Sequence, residues 1–315
     1  MSIVTLTMNP AIDLATTAQH IHPTDKIRCT APRFDPGGGG INVARTVAAL
    51  GEPVTAVFPA GGPAGALLEQ LVRDAGVPAR PVAVEGATRE SFSVTDTVSG
   101  EQFRFVLPGP RSTAPEHHRC LVELERAVRD ARYVVASGSL PPGAPADFYQ
   151  TVADLLAAMD ARLILDTSGA PLRSIRKGIH LIKPSVRELA EYVGHPLPDA
   201  PARVAAVRRL IAAGIAEIVV LSLGAEGALV ATAVGEEWFA PVEVTVRTGI
   251  GAGDAMVGGI AVGLSRGYSV GDAVRLGLCS AAAALETPGT RPGIAARIME
   301  RFEALTAVPQ VSPGS

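Results

Sequence analysis

The sequence predicts a doubly wound α/β fold: a mainly parallel sheet flanked by helices, with a small β-sheet lid. Three observations predict it. Short apolar runs rich in β-branched residues alternate with amphipathic segments of about 10–15 residues, the pattern of successive βαβ units. The runs are continuously apolar, as strands covered on both faces are. Two stretches, about 14–34 and 88–108, break the rhythm with extended sequence that needs another place to pack.

Taken in order, "IVTLTM" reads as a strand and "GINVARTVAALG" as a helix with a glycine stop. "VTAVFPAGG" is a strand ending in a turn, and "AGALLEQLVRDAG" a helix. "RYVVASGS", "RLILDTSG", "IHLIKPS" and "EIVVLSLG" are strands. "ADFYQTVADLLAAM", "VRELAEYVG" and "ARVAAVRRLIAAG" are the helices between them. Right-handed crossovers stack such units into one sheet with helices on both sides. In the first irregular stretch, "LATTAQHIHPTDKIRCTAPRF" has no helical period and many Thr and Pro. In the second, "ESFSVTDTVSGEQFRFVL" reads as an antiparallel hairpin turning at "SG". A single domain over 1–310 is expected, with 311–315 as a tail.

Composition excludes several function classes. Among 315 residues, 47% are apolar, 19% charged and 4% aromatic, with a net charge of −3. With no basic run and few aromatics, neither a nucleic-acid surface nor a membrane surface is expected. The start lacks a signal-peptide pattern and no apolar run reaches membrane-spanning length, so a cytoplasmic location is expected. Cys29, Cys120 and Cys279 are far apart, which argues against a disulfide framework and against zinc. The six histidines form no metal-ligating spacing.

Five constellations carry candidate chemistry. In "TGIGAGDAMVGGIAVGL" (248–264), glycines open a helix and run straight into Asp254. The amides around Gly251, Ala252 and Gly253 can hold an anion at the positive end of the helix. Asp254 then reads either as a first-turn acid complementing the dipole or as a base beside a bound phosphate. In "DPGGGGINVART" (35–46), four glycines let the backbone approach a polyhydroxyl ligand, and Asn42 can donate to and accept from sugar hydroxyls. The absence of GK[ST] excludes a Walker A loop. "MNPAID" places Asp13 after the first strand, where ligands of open α/β sheets bind. "KPSVRELAEY" ends a strand with Lys183 and begins a helix with Glu188, which is either a solvated helix acid or a holder of magnesium-bound water. Lys26, Arg28, Arg89 and Arg104 lie in the irregular stretches; arginines there suit phosphate recognition, or guard exposed strand edges.

With both glycine motifs, their order and the extended stretches in hand, the chain resembles the PfkB branch of the ribokinase-like sugar kinases over nearly all of residues 3–300. "PGGGGINVARTVAALG" and "GIGAGDAMVGG" carry the resemblance, supported by "SGSLPPG", "LDTSG", "VVLSLGAEGAL" and "GTRPG". The bacterial 6-phosphofructokinase branch looks most similar. Gly39 stands where the 1-phosphofructokinases and tagatose-6-phosphate kinases of the family usually carry lysine, which tilts the expected acceptor toward fructose 6-phosphate.

The resemblance implies a division of labour. Asp254 matches the general base, and the amides of Gly251, Ala252 and Gly253 the anion hole. Asp13, Gly38, Gly39 and Asn42 match contacts to sugar hydroxyls. Ser139, Arg89 and Arg104 match contacts near the sugar phosphate, and Arg28 a reach into a neighbouring subunit's site. Lys183, Ser222, Gly224 and Gly227 match the nucleotide site, and Glu188 the magnesium-associated glutamate. ATP and Mg2+ are the implied cofactors, K+ a further candidate, and a homodimer through the lid the implied assembly. Two departures stand out: Ser185 replaces an asparagine usual before the glutamate, and Thr248 and Gly249 replace a Ser/Asp–Thr pair next to a monovalent-cation loop. Tagatose 6-phosphate, fructose 1-phosphate, a neutral sugar or a nucleoside remain alternative acceptors. A non-catalytic sugar-phosphate sensor is the alternative outside enzymes.

Overall fold

The computed structural model describes residues 2–23, 26–246 and 250–307. The chain begins with β1 (Ser2–Leu6), β2 (Ala11–Ala18), β3 (Arg33–Gly37), α1 (Gly39–Ala49), β4 (Val54–Ala60), α2 (Gly62–Asp74) and β5 (Ala79–Ala83). There follow β6 (Arg89–Asp96), β7 (Gln102–Val106), α3 (Ala114–Val128), β8 (Ala131–Ser137), α4 (Phe148–Ala157), β9 (Arg162–Asp166) and α5 (Gly169–Arg173). Then come β10 (Ile179–Ile182), α6 (Val186–Val193), α7 (Ala200–Ala212), β11 (Ala216–Ser222), β12 (Ala228–Thr232) and β13 (Gly235–Phe239). The described chain closes with α8 (Ala252–Ser265), α9 (Val270–Leu285) and α10 (Ala295–Ala307).

Among the described residues, nine strands form one sheet in the order β13-β12-β11-β10-β9-β8-β1-β4-β5. Every neighbouring pair from β11 to β5 is parallel. β12 and β13 turn back antiparallel at one edge, which the sequence reading did not separate from the parallel set. Residues alternate between two cores: Ile3 of β1 packs under α1, α2, α8, α9 and α10, while Val4 and Leu6 pack under α3 to α7. The chain leaves β1 for β4 on one side and later fills β8 on the other. That is the switch point at whose carboxyl edge open α/β sheets form a crevice.

The second sheet has the order β3-β2-β6-β7. It gathers both irregular stretches, and the hairpin predicted at "SG" is the antiparallel pair β6–β7. It also reaches further than the sequence suggested. Asp13 does not simply end the first strand: it lies inside β2, opposite Asp35 on β3 and Ser91 on β6. Asp35 and Ser91 are buried on the inner face, whereas Phe34, Phe92 and Phe105 are exposed on the outer one.

The small-residue run after Asp254 is explained by packing. α8 is buried almost throughout. A Cβ at Gly258 would meet Thr46 Cβ at 2.8 Å, and one at Gly263 would meet Ala273 Cα at 2.6 Å. The glycines thus let α8 approach α1 and α9 closely. No helix among the described residues is long and apolar enough to cross a membrane. Thr248, Gly249 and the expected tail lie outside the described residues.

Candidate active site

Because β1, β8, β9, β10 and β11 are parallel neighbours, their carboxyl ends fall along one edge. That edge carries Thr7, Ser137, Asp166, Lys183 and Ser222. Two helix N-termini dock onto it, those of α1 and α8. Neither has a side-chain cap: α1 is preceded by Gly38 at φ 109° and α8 by Gly251 at φ 82°, conformations that favour glycine. The first-turn amides of both helices therefore remain available to a ligand.

Asp254 sits in the first turn of α8. Asn42 Nδ2 donates to Asp254 Oδ2 at 2.9 Å, and Ser137 Oγ donates to Oδ1 at 3.3 Å. Burial, reinforced by the charge of Asp166, pushes the Asp254 carboxyl up to about 7, while the two donors and Lys183 pull the other way. A carboxyl poised near neutral pH is suited to take and release a proton.

Lys183, only 4% exposed, lies beyond β10 with its Nζ 3.2 Å from Asp166 Oδ1. Burial works against the ammonium, but Asp166, Glu188 and Asp254 outweigh it and hold Lys183 above its ordinary value. Burial raises Asp166 in turn, with Lys183 opposing. A Cβ on Gly253 would come within 3.7 Å of Lys183 Nζ, so a fixed positive charge stands beside the amides that open α8.

The glycine loop is packed rather than floppy. A Cβ on Gly37 would collide with the Asp13 carboxylate, one on Gly38 would meet Thr7 Cγ2 at 2.7 Å, and one on Gly39 would collide with Ser137 Oγ. The missing side chains bring the start of α1 against β1 and β8, and this carries Asn42 to Asp254.

The small sheet lies beside the glycine loop, whose Gly37 ends β3. Asp13, Asp35, Ser91, Arg104 and Thr290 line one cleft there. Burial raises Asp13, with Arg104 and Arg89 opposing. Arg89 and Ser139 line a neighbouring cleft of about 720 Å³. Arg89 spends part of its fork on the backbone: Nη2 donates to Asn9 O at 3.0 Å and Nη1 to Leu107 O at 2.9 Å. Ser139 accepts from Asn9 Nδ2 at 3.1 Å. Arg28 is exposed and lines none of these clefts, so the chain by itself does not bring it to the site.

On the far side of Gly253 a cleft of about 600 Å³ is lined by Ser222, Gly224, Gly227, Met256 and Leu278. Gly227, at φ 94°, would collide with Phe239 O if it carried a Cβ. Glu188 is held in a capping box: its Oε2 accepts from Ser185 N at 2.9 Å, and Ser185 Oγ accepts from Glu188 N at 3.3 Å. Ser185 therefore caps α6, and the Asn-to-Ser departure leaves Glu188 anchored.

Sequence reasoning missed Asp166, Ser137 and Arg45. "LDTSG" contains Asp166 at the end of a strand next to the Lys183 strand, a signal that strand order alone would have raised. Ser137 gave none, because its partner Asp254 is 117 residues away; Arg45 gave none because, although Asn42 is one turn before it, its tie to Thr290 spans 245 residues.

Residues 5–297 match the pattern of the pfkB family carbohydrate kinases. The ATP-dependent 6-phosphofructokinase isozyme 2 of Mycobacterium tuberculosis strain H37Rv is 53% identical over 98% of this chain and 90% of its own length. The phosphofructokinase-2 of Escherichia coli, solved in complex with potassium, superposes with a TM-score of 0.92 at 36% identity, covering 96% of this chain and 99% of that one. The same protein in complex with fructose-6-phosphate gives a TM-score of 0.88 over the same shares and at the same identity. A ribokinase-like fold, a glycine-opened helix presenting a carboxylate and a match over most of the length lead to one assignment: the chain belongs to the pfkB family of carbohydrate kinases.

Proposed function

We propose that the chain is an ATP-dependent kinase of a sugar phosphate, converting fructose 6-phosphate to fructose 1,6-bisphosphate. The observation that carries the reading is Asp254: a carboxyl raised to about 7, gripped by Asn42 and Ser137, at the uncapped start of α8. The acceptor lies between the glycine loop and the small sheet, its hydroxyls met by Asp13, Asn42 and the amides of Gly38 and Gly39. Its phosphate lies toward Arg89, Arg104 and Ser139. ATP occupies the 600 Å³ cleft along Ser222, Gly224 and Gly227, with its phosphates pointing to Lys183.

Asp254 accepts the proton of the C1 hydroxyl as that oxygen bonds to the γ-phosphorus and the bond to the bridging oxygen of ADP breaks. The amides of Gly251, Ala252 and Gly253 stabilise the oxygens of the moving phosphoryl, and Lys183 neutralises the phosphates. The small sheet acts as a lid over the acceptor in one kinase domain spanning 1–310, excluding the water that would otherwise compete for ATP.

The carboxylates of Asp166 and Glu188 both act on Lys183 electrostatically. No cluster of three or more acidic, His or Cys ligands exists among the described residues. The neighbouring carboxylates of Asp166 and Glu188, which also act on each other, fit magnesium, which keeps its waters and uses one or two carboxylates together with substrate phosphates. Asp166 and Glu188 would hold it, and it would supply charge neutralisation of the phosphates when bound. Potassium is a further candidate cation, and no step above depends on it. Phe34, Phe92 and Phe105 leave the lid with an apolar outer face that suits a lid-to-lid homodimer.

The test is coupled ADP release with Mg-ATP and fructose 6-phosphate, tagatose 6-phosphate, fructose 1-phosphate, fructose, ribose and adenosine. A strong preference for fructose 6-phosphate is expected. Turnover of a neutral acceptor alone keeps the kinase chemistry and removes the assignment of Arg89 and Arg104. Nucleotide binding with no turnover of any acceptor favours a sensor.

A further inference from the structure

Arg45 is a guanidinium only 6% exposed, on α1 one turn after Asn42. Its Nη1 lies 3.4 Å from Asn42 Oδ1, 3.2 Å from Pro36 O, and 3.1 Å from both the carbonyl and the hydroxyl of Thr290. Its Nη2 lies 3.9 Å from Asp35 Oδ1. One buried side chain thus ties the end of β3, the start of α1 and the segment before α10. Burial of a charge is costly, and burial lowers Arg45 below its ordinary value despite Asp35 and Asp13.

The chemistry of the Asn42 amide turns this tie into a functional one. A terminal amide has two nearly isosteric ends, one donor and one acceptor, and its orientation is set by its partners. Arginine offers donors only, and the Asp254 carboxylate, when ionised, offers acceptors only. With Oδ1 toward Arg45 and Nδ2 toward Asp254, both contacts are attractive. A flip would set donor against donor and acceptor against acceptor.

We propose that Arg45 is a positioning residue for phosphoryl transfer: it pins Asn42 so that Nδ2 stays directed at Asp254, and it locks the glycine-loop helix to Thr290. The inference rests on reading Asp254 as the base. Asp254 is otherwise faced by Ser137 from β8, Asp166 from β9 and Lys183 beyond β10, none of which touches Arg45. Arg45 is faced by Asp35 and Asp13 and by Arg33 and Arg291 of like charge. Removing Arg45 leaves Asp35 with Arg33 at 2.8 Å, so no carboxylate is stranded.

The experiment is a double-mutant cycle between Arg45→Met and Asn42→Ala, read on kcat and on the titration of the Asp254 carboxyl by carbon NMR in the free enzyme. Arg45→Met is expected to lower kcat by roughly 10–100-fold, the scale of a misplaced catalytic contact. It should move the Asp254 midpoint to higher pH, because a donor to the ionised form is lost. In the Asn42→Ala background the same change should add little, since residues acting through one contact are not additive. Additive losses, or an Asp254 midpoint unmoved by Arg45→Met, overturn the proposal. If Arg45→Met does not fold, Arg45→Gln takes its place: its amide carries both a donor and an acceptor and no longer forbids the flipped Asn42. Asp254→Asn separates the two readings. Near-normal turnover there removes the base itself, whereas a dead Asp254→Asn with an additive cycle removes only the role of Arg45.

Discussion

Lys183 Nζ lies 3.2 Å from Asp166 Oδ1, one side chain at the end of each of two adjacent parallel strands. Removing one member of such a buried pair leaves an uncompensated charge. Lys183→Met is therefore expected to destabilise the fold by about 3–5 kcal/mol. Lys183→Met combined with Asp166→Asn should recover much of that in denaturant titrations. Neither variant should recover turnover if Lys183 is the fixed positive partner proposed for the phosphates.

Asp254→Asn should lower kcat on the order of 10²–10⁴-fold, the usual contribution of a general base. In the parent enzyme the acidic limb of kcat/KM should bend near pH 7, where the carboxyl ionises. Activity rises as pH climbs through that value. A limb far below it would detach the rate from Asp254.

Asp254 also sets a stability trend. Its folded value of about 7 exceeds the ordinary carboxylate value of about 3.9. The folded state therefore holds the proton more tightly, and this group's contribution is full below about pH 4 and lost as pH rises through 7. Asp254→Asn removes the cost of burying the ionised form, so its melting temperature should exceed the parent's more at pH 8 than at pH 5. An equal difference at both pH values would contradict the burial of this carboxyl.

Gly39→Ala should destabilise the protein by about 1–3 kcal/mol, the cost of overpacking. The added methyl collides with Ser137 Oγ, which donates to Asp254, so turnover should fall as well. Adding Ser137→Gly should return part of the stability. Recovery stays incomplete because the backbone of Ser137 and Gly138 also crowds the site, at 2.8 and 3.0 Å.

Phe92 and Phe105 stack with ring centroids 4.8 Å apart on the outer face of the small sheet, and Phe105 is 47% exposed. Phe92→Ser with Phe105→Ser should halve the sedimenting mass if that face joins two copies. An unchanged mass would move the interface elsewhere.

Consecutive residues made the parallel core, most helix positions and the two glycine-opened helices that carry Asn42 and Asp254 legible. These are local properties: hydrophobic period, β-branched runs and glycines where φ is positive are written in consecutive residues. The sequence reading left Asp13 simply following the first strand, because only pairing with β3 and β6 puts it inside the small sheet. It did not single out Asp166, Ser137 or Arg45, whose importance depends on which strand ends are neighbours and, for Ser137 and Arg45, on contacts to Asp254 and Thr290 more than a hundred residues away. The tertiary structure decided the pKa of Asp254 for the same reason. Burial acts on it together with a second carboxylate and two donors that arrive from three separate elements, β9, α1 and β8, and a chain read in order does not say that those elements meet.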